Sequence, residues 1–201
     1  MIAIVDYGMG NLRSVTNAFR VLGADVVVTR KKEAIKESDA IVLPGVGAFG
    51  KCVENLKKFE LFYLIKELIM NDKQYLGICL GMQTLFESSE EAPGIEGMGV
   101  IKGNVPRFTS ALKVPHMGWN SIEIQEENDI FKGIKDKEFF YFVHSYYCLP
   151  TEDVTATKTA YSVEFASSVQ KGSLFACQFH PEKSQRAGLI LLQNFIDMCK
   201  K

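Results

Sequence analysis

The feature that most constrains this chain is a series of short apolar runs alternating with segments of helical periodicity. Ile2–Asp6 is a short apolar strand, followed by the turn Tyr7-Gly8-Met9-Gly10. Leu12, Val15, Phe19 and Leu22 then recur at helical spacing, with Asn11 as an N-cap and Gly23 as the stop. Val26–Thr29 and Ala40–Leu43 read as buried strands. Helical material, broken near Phe59, lies between Phe49 and Asn71. Tyr75–Ile78 is a further apolar strand and Leu80–Glu87 reads as a helix. Strands joined through helices pair in parallel, with helices on both faces of the sheet. From Gly99 to Gln178 the pattern changes to short β-rich runs separated by turns: Ser121–Ile124, Phe139–His144, Thr155–Ala160 and Leu174–Phe179. These suggest antiparallel additions. A last helix runs from about Gln185, with Ala187, Ile190, Leu191, Phe195 and Met198 on one face. The expected fold class is α/β: a mostly parallel open sheet with helices on both faces and antiparallel β additions in the second half.

Length and composition set the outer bounds. At 201 residues with no linker or internal repeat, the chain reads as a single domain over 1–201. The 47% apolar and 23% charged content excludes a mainly disordered or collagen-like chain. Net charge is −1, with no basic stripe, which argues against a nucleic-acid partner. No apolar run approaches the roughly 18 residues of a membrane span. The opening MIAIVDYG lacks the basic segment of a signal peptide and meets Asp6 too early for one. Five widely spaced cysteines, 52, 79, 148, 177 and 199, form no CxxC, so a disulfide scaffold is not expected and a reducing cytoplasm is the default.

In open α/β sheets ligands bind beyond the carboxyl ends of the strands, so chemistry is sought after Leu43, Ile78 and Phe179. Gly77-Ile78-Cys79-Leu80-Gly81 has the G-x-nucleophile-x-G pattern with Cys as nucleophile. Such a turn lifts the sulfur out of the sheet, sets it at a helix N-terminus that favours thiolate, and aims the Leu80 N–H at an oxyanion. The bland reading is a buried Cys between two glycines. His180-Pro181-Glu182 supplies a base and its orienting carboxylate from one strand end. Alone it would be an ordinary turn. Pro44-Gly45-Val46-Gly47-Ala48-Phe49-Gly50 contains GxGxxG, but the next strand ends in Cys79 and not in the acid that a dinucleotide ribose needs. Backbone N–H groups of Gly45, Val46 and Gly47 beside Cys79 would instead complete an oxyanion hole. A zinc site of Cys79, His116, His144 and His180 lacks ligand spacing, so no metal is expected. Among the histidines only His180 has a carboxylate two residues on.

Gly77-Ile78-Cys79-Leu80-Gly81-Met82-Gln83 together with His180-Pro181-Glu182 resembles the class I (triad) glutamine amidotransferases. Within that family, Asp6-Tyr7-Gly8-Met9-Gly10-Asn11, Pro44-Gly45-Val46-Gly47 and Pro115-His116-Met117-Gly118-Trp119-Asn120 are similar to the glutaminase subunits of imidazole glycerol phosphate synthases. The likeness runs in order from Asp6 to Glu182. Chains of the anthranilate-synthase type more commonly have His in place of Met82. Ser145 stands where related chains often have Thr, which keeps the hydroxyl.

The resemblance implies that Cys79 attacks the side-chain amide of glutamine, His180 carries the proton, and Glu182 orients His180. It further implies that Gln83, Glu91, Ser145 and Tyr146 lie around the glutamine, with Glu91 pairing the α-ammonium. No cofactor is implied. The implied partner is a (β/α)8-barrel cyclase subunit that consumes the ammonia, and Met117, Trp119, Asn120, Tyr141 and Lys183 become interface candidates. Three readings stand beside this one: the glutaminase of another amidotransferase, a cysteine hydrolase on a related fold, and an inactive domain that only docks a partner.

Overall fold

The computed structural model describes residues 1–109 and 112–200. The chain opens with β1 (Ile2–Val5) and α1 (Leu12–Val21), where the Asn11 side chain accepts the Ser14 N–H and caps the helix. Then come β2 (Val26–Thr29), α2 (Lys32–Glu37), β3 (Ala40–Gly45), α3 (Phe49–Lys58), α4 (Phe62–Met70), β4 (Gln74–Cys79) and the one-turn α5 (Leu80–Gln83). The second half holds β5 (Ser88–Ser89), β6 (Gly103–Val105), β7 (His116–Ser121), β8 (Glu123–Ile124), β9 (Phe139–His144), β10 (Leu149–Pro150), β11 (Thr155–Tyr161), β12 (Val163–Lys171) and β13 (Leu174–Cys177). It closes with α6 (Gln185–Met198).

The main sheet has the order β2-β1-β3-β4-β13-β12-β11-β8. The first five strands in that order pair in parallel and the last three are antiparallel. Alternation along β1 and β3 explains why both are apolar throughout. Ala3, Val5, Ile41 and Leu43 pack with Val53, Leu56 and Ile65 of α3 and α4. Ile2, Ile4, Ala40 and Val42 pack with Val15 and Phe19 of α1 and with Leu191 and Phe195 of α6. A sheet buried on both faces leaves no polar side to its central strands.

The expected α/β class is what the structure has, with several local corrections. β2 is only part-buried, because it is the edge strand and Val28 faces outward. The expected helix Leu80–Glu87 stops at Gln83. The carbonyls of Thr84, Leu85 and Phe86 accept from the N–H groups of Met98, Val100 and Gly99 in a crossing loop, so helical bonding cannot continue. α2 and the nine-residue β12 were not expected. In β12 the buried stretch Phe165–Val169 mixes apolar residues with Ser167 and Ser168, which pair with Thr157 and blur the alternation. The Ser121–Ile124 segment is the junction of two strands, β7 and β8. β9 adds to no part of the main sheet; it pairs with β7 in a separate two-stranded ribbon. β13 ends at Cys177 and pairs with β4 in parallel. The face that α6 buries is Gly188, Leu191, Leu192, Phe195 and Ile196, rotated slightly from the expected one.

That rotation seats α6 directly on the loop after β13. A Cβ at Gly188 would lie 1.9 Å from the Pro181 carbonyl oxygen, a backbone atom that cannot swing aside. Gly188→Ala is expected to lower the unfolding free energy by about 1–3 kcal/mol, the usual range for overpacking, as read by urea denaturation.

Candidate active site

Parallel register builds the site. In the β3–β4 pair Gly45 stands opposite Cys79, and in the β13–β4 pair Cys177 stands opposite Ile78. The carboxyl ends of three strands thus bring Gly45, Cys79 and the residue after Cys177, Gln178, to one level. Cys79 adopts φ +54° and ψ −104°. A non-glycine residue held there is strained by on the order of 1–3 kcal/mol, which the surrounding packing must outweigh. The turn is possible because the residue two on, Gly81, is glycine. A Cβ at Gly81 would sit 1.9 Å from the Leu43 carbonyl oxygen of β3. The Tyr75 hydroxyl donates to the Gly81 carbonyl at 2.8 Å and fixes the turn from below.

His180 and Glu182 leave the end of β13 in the turn Pro181–Lys183. His180 Nδ1 donates to Glu182 Oε1 at 2.9 Å, with both side chains almost fully buried. Nε2 is buried with no hydrogen bond fully formed, and Cys79 is the neighbour that acts on it. Burial alone would lower the imidazole, but Cys79 and Glu182 outweigh it and push it up to about 10. A ring protonated at neutral pH, beside a sulfur and steered by a carboxylate, is arranged for acid–base work on whatever the sulfur attacks.

Cys79 opens onto a cleft of about 280 Å³. Val46, Gly47, Leu80, Gln83, Glu91, Ser145 and Tyr146 line it. Larger depressions of about 540 and 670 Å³ lie along α6 and beside the β8–β9 loop, and neither contains Cys79. Glu91 accepts the Phe49 N–H at 2.7 Å, at the start of α3, while also facing the cleft. Gln83 donates from Nε2 to the Tyr146 carbonyl at 3.2 Å and to Gln178 Oε1 at 2.9 Å.

The other two histidines form a separate buried pair. His144 Nδ1 donates to the Tyr146 carbonyl at 2.7 Å, which leaves its Nε2 to accept from His116 Nδ1 at 2.9 Å. Asn120 donates to His116 Nε2 at 3.2 Å. Stacking of His116 on Phe142 and Tyr161 encloses the pair. Among the described residues no group of three or more His, Cys, Asp or Glu side chains is placed to hold a metal ion.

On the surface, the β7–β9 ribbon presents Met117 and Trp119, 62% and 46% exposed. Trp119 pairs across the ribbon with Tyr141 in edge-to-face contact, and the Lys183 ammonium lies 5.7 Å from the Tyr141 ring centre. Asn120 instead turns inward, donating to the Ala160 carbonyl as well as to His116. The residue that sequence reasoning passed over is Gln178: it is fully buried, and its Nε2 donates to Cys79 Sγ at 3.5 Å. Its place two residues before His180 was the available signal.

The sequence matches the model of the class-I glutamine amidotransferase family over residues 3–198. The chain belongs to that family. It is 48% identical to "Imidazole glycerol phosphate synthase subunit HisH" of Methanothermobacter thermautotrophicus, over 100% of both chains. It is also 48% identical to the protein of the same description from Methanocaldococcus jannaschii, over 98% of this chain and 100% of that one. In fold, this amidotransferase is similar to a crystal structure of a glutamine amidotransferase with a TM-score of 0.79 at 18% identity, over the whole of both chains. Among its described residues no helix is long and apolar enough to cross a membrane.

The buried histidines give a pH signature. Burial holds His116 down at about 4 and His144 at about 3, against an ordinary 6.5. The unfolded chain takes up those protons below about 6.5, so the pair's contribution is complete above that value and is lost as pH falls through the depressed ones. His180 has the opposite sign: its contribution is complete below about 6.5 and lost as pH rises through about 10. Unfolding free energy should therefore fall between pH 7 and 5, by up to about 2 kcal/mol per histidine. His116→Gln with His144→Gln should flatten that slope, as read from urea midpoints at half-unit pH steps.

Proposed function

We propose that this chain, acting as one domain over 1–201, is the glutaminase subunit of an imidazole glycerol phosphate synthase. It hydrolyses glutamine to glutamate and delivers ammonia to a (β/α)8-barrel cyclase subunit. That partner makes imidazole glycerol phosphate and an aminoimidazole carboxamide ribonucleotide in histidine biosynthesis. The observation that carries this reading is the end-to-end likeness to subunits of that synthase, in a chain that keeps Cys79 beside the His180–Glu182 pair. Met82 after Gly81 fits this subfamily better than the anthranilate-synthase type. Five unpaired cysteines fit a reducing cytoplasm.

In the proposed mechanism the Cys79 sulfur attacks the side-chain carbonyl carbon of glutamine. The tetrahedral oxyanion is held by the Leu80 N–H and by a backbone N–H from Gly45–Gly47. As the C–N bond breaks, His180 passes its proton to the leaving nitrogen, which departs as ammonia. Water then attacks the thioester, giving its proton to His180; glutamate leaves and the sulfur is regenerated. Glu182 holds the imidazole in place by its bond to Nδ1. Glu91 pairs with the substrate α-ammonium, while Gln83, Ser145 and Tyr146 shape the cleft around its backbone. Ammonia must reach the acceptor without becoming ammonium, which requires a docked partner and a dry passage. Met117, Trp119, Tyr141 and Lys183 are suited to that docking, since exposed Trp and Met are common anchors. Asn120 supports this face from within.

Cys79→Ala is expected to abolish glutamine hydrolysis while leaving the assembled complex able to use ammonium salts at raised pH. Loss of both activities in an intact complex would contradict the division of labour. His180→Asn should lower the glutaminase rate by about 10³-fold or more, as for a residue acting as a unit with the nucleophile. The same change at His116 or His144 should cost far less. Assays with glutamine, asparagine and peptides, with and without the barrel subunit, separate this reading from a peptidase-type hydrolase or a docking module.

A further inference from the structure

The elbow leaves one electrostatic question open. α5 is a single turn, so its dipole is a weak source of positive potential for the Cys79 sulfur. Cys79 nevertheless sits in a nearly closed site, 6% exposed, where unsolvated negative charge is costly. A neutral donor aimed at it would relieve that cost without adding a second charge.

We propose that Gln178 is that donor: a positioning residue that holds the Cys79 sulfur and favours its anionic form through a hydrogen bond from Nε2. The proposal rests on the reading of Cys79 as the nucleophile. Three observations support it. First, continuing the parallel register from Cys177 opposite Ile78 puts Gln178 opposite Cys79. Its backbone is pinned there, because Gln178 N–H donates to the Ser167 carbonyl at 2.8 Å. Second, the side chain has no access to water and its Nε2 lies 3.5 Å from Sγ, a normal length for a bond to sulfur. Third, the amide can face only one way. The Tyr146 carbonyl is an obligate acceptor, and it takes both His144 Nδ1 and Gln83 Nε2. Gln83 therefore turns its NH2 group inward, and its second proton goes to Gln178 Oε1 at 2.9 Å. With its oxygen engaged, Gln178 must present its own NH2 to the sulfur. The order from Tyr146 through Gln83 and Gln178 to Cys79 is thus set at the end farthest from the sulfur: a rotated amide at Gln83 would set its oxygen against the Tyr146 carbonyl, and one at Gln178 would set its NH2 against that of Gln83.

His180 approaches from the same strand end, two residues on. The sulfur is therefore flanked by two side chains of the loop after β13, the charged His180 and the neutral Gln178, of which Gln178 makes the hydrogen bond to it. The groups facing the sulfur are then the His180 imidazole, the Gln178 amide, and the backbone of the Leu80 turn. Tyr7, Cys52, Cys148 and Cys177 also lie within its electrostatic reach, all raised by burial and so neutral near pH 7. A donor of fixed geometry also restricts where Sγ can swing. It is thereby aimed at the cleft formed by Val46, Gly47 and Tyr146.

The test is the pH dependence of Cys79 alkylation by iodoacetamide in the full chain, read as peptide modification by mass spectrometry, in the unmodified sequence and in Gln178→Met. Methionine keeps the length and apolar stem but has no donor. The expected result is a rise of about one pH unit or more in the alkylation midpoint, a tenfold loss of reactive sulfur at a given pH below it. Glutaminase kcat should fall by about tenfold or more, with KM for glutamine changed by less than about threefold, since a fixed donor to the nucleophile acts on the chemical step. In the unmodified chain, the Gln178 side-chain amide resonance should shift with the same midpoint as Cys79 alkylation, a measurement that does not depend on the variant folding. An unchanged alkylation midpoint in folded Gln178→Met, or an amide resonance that stays still while Cys79 titrates, would overturn the proposal. These two readouts need no glutamine turnover. A failure of the glutaminase reading would appear instead as activity surviving in Cys79→Ala.

Discussion

The structure depends most on the parallel pairing of β3, β4 and β13 at their carboxyl ends. Pairing in parallel ends the three strands on the same side of the sheet, and the register brings Gly45, Cys79 and Gln178 to one row. Everything at the site is measured from that row. The strained turn at Cys79 is tolerable because Gly81 lets α5 lie against the Leu43 carbonyl and because Tyr75 reaches across to the Gly81 carbonyl. A shift of β13 by one residue would turn Gln178 and His180 to the opposite face, since side chains alternate along a strand.

Around this row the polar groups sort into two kinds. His180 is buried yet charged, because Cys79 and Glu182 outweigh its loss of water. The His116–His144 pair is buried and neutral, because burial penalises its charged form while backbone and amide groups satisfy its nitrogens without supplying a carboxylate. The two pairs meet through the Tyr146 carbonyl and the glutamines that lead from it to Cys79. Three buried histidines thus acquire opposite protonation behaviour: burial lowers all three, and only His180 has partners that outweigh it.

The β7–β9 ribbon joins the outer face to this interior. Trp119 and Tyr141 stand on its outer side, while His116 and His144 of the same two strands point inward. The His180 N–H donates to the Tyr141 carbonyl, and the Tyr141 N–H donates to the Ser184 hydroxyl. The proposed docking face and the proposed base therefore share backbone bonds.

Much of this was legible in the sequence. The runs IAIV and AIVL, apolar at every position, announce strands covered on both sides, and the Asn11 cap and the break near Phe59 follow from local chemistry. Gly77-Ile78-Cys79-Leu80-Gly81 and His180-Pro181-Glu182 carry the proposed nucleophile elbow and base with its carboxylate, the first because a tight turn there has room only for glycine at 77 and 81, the second because a carboxylate two residues from a histidine can reach its ring. What the sequence could not decide was anything set by groups distant along the chain. The short α5 results from a loop that takes the Thr84, Leu85 and Phe86 carbonyls, and β12 was hidden by buried serines paired with Thr157. That β9 joins β7 in a ribbon, that burial keeps His116 and His144 neutral, and that Gln178 faces a sulfur 99 residues away are likewise outcomes of tertiary packing. Local sequence determined which turns and caps could form. Burial and long-range hydrogen bonding decided which polar groups meet and what charge each carries, because both are properties of the assembled environment and not of any one segment.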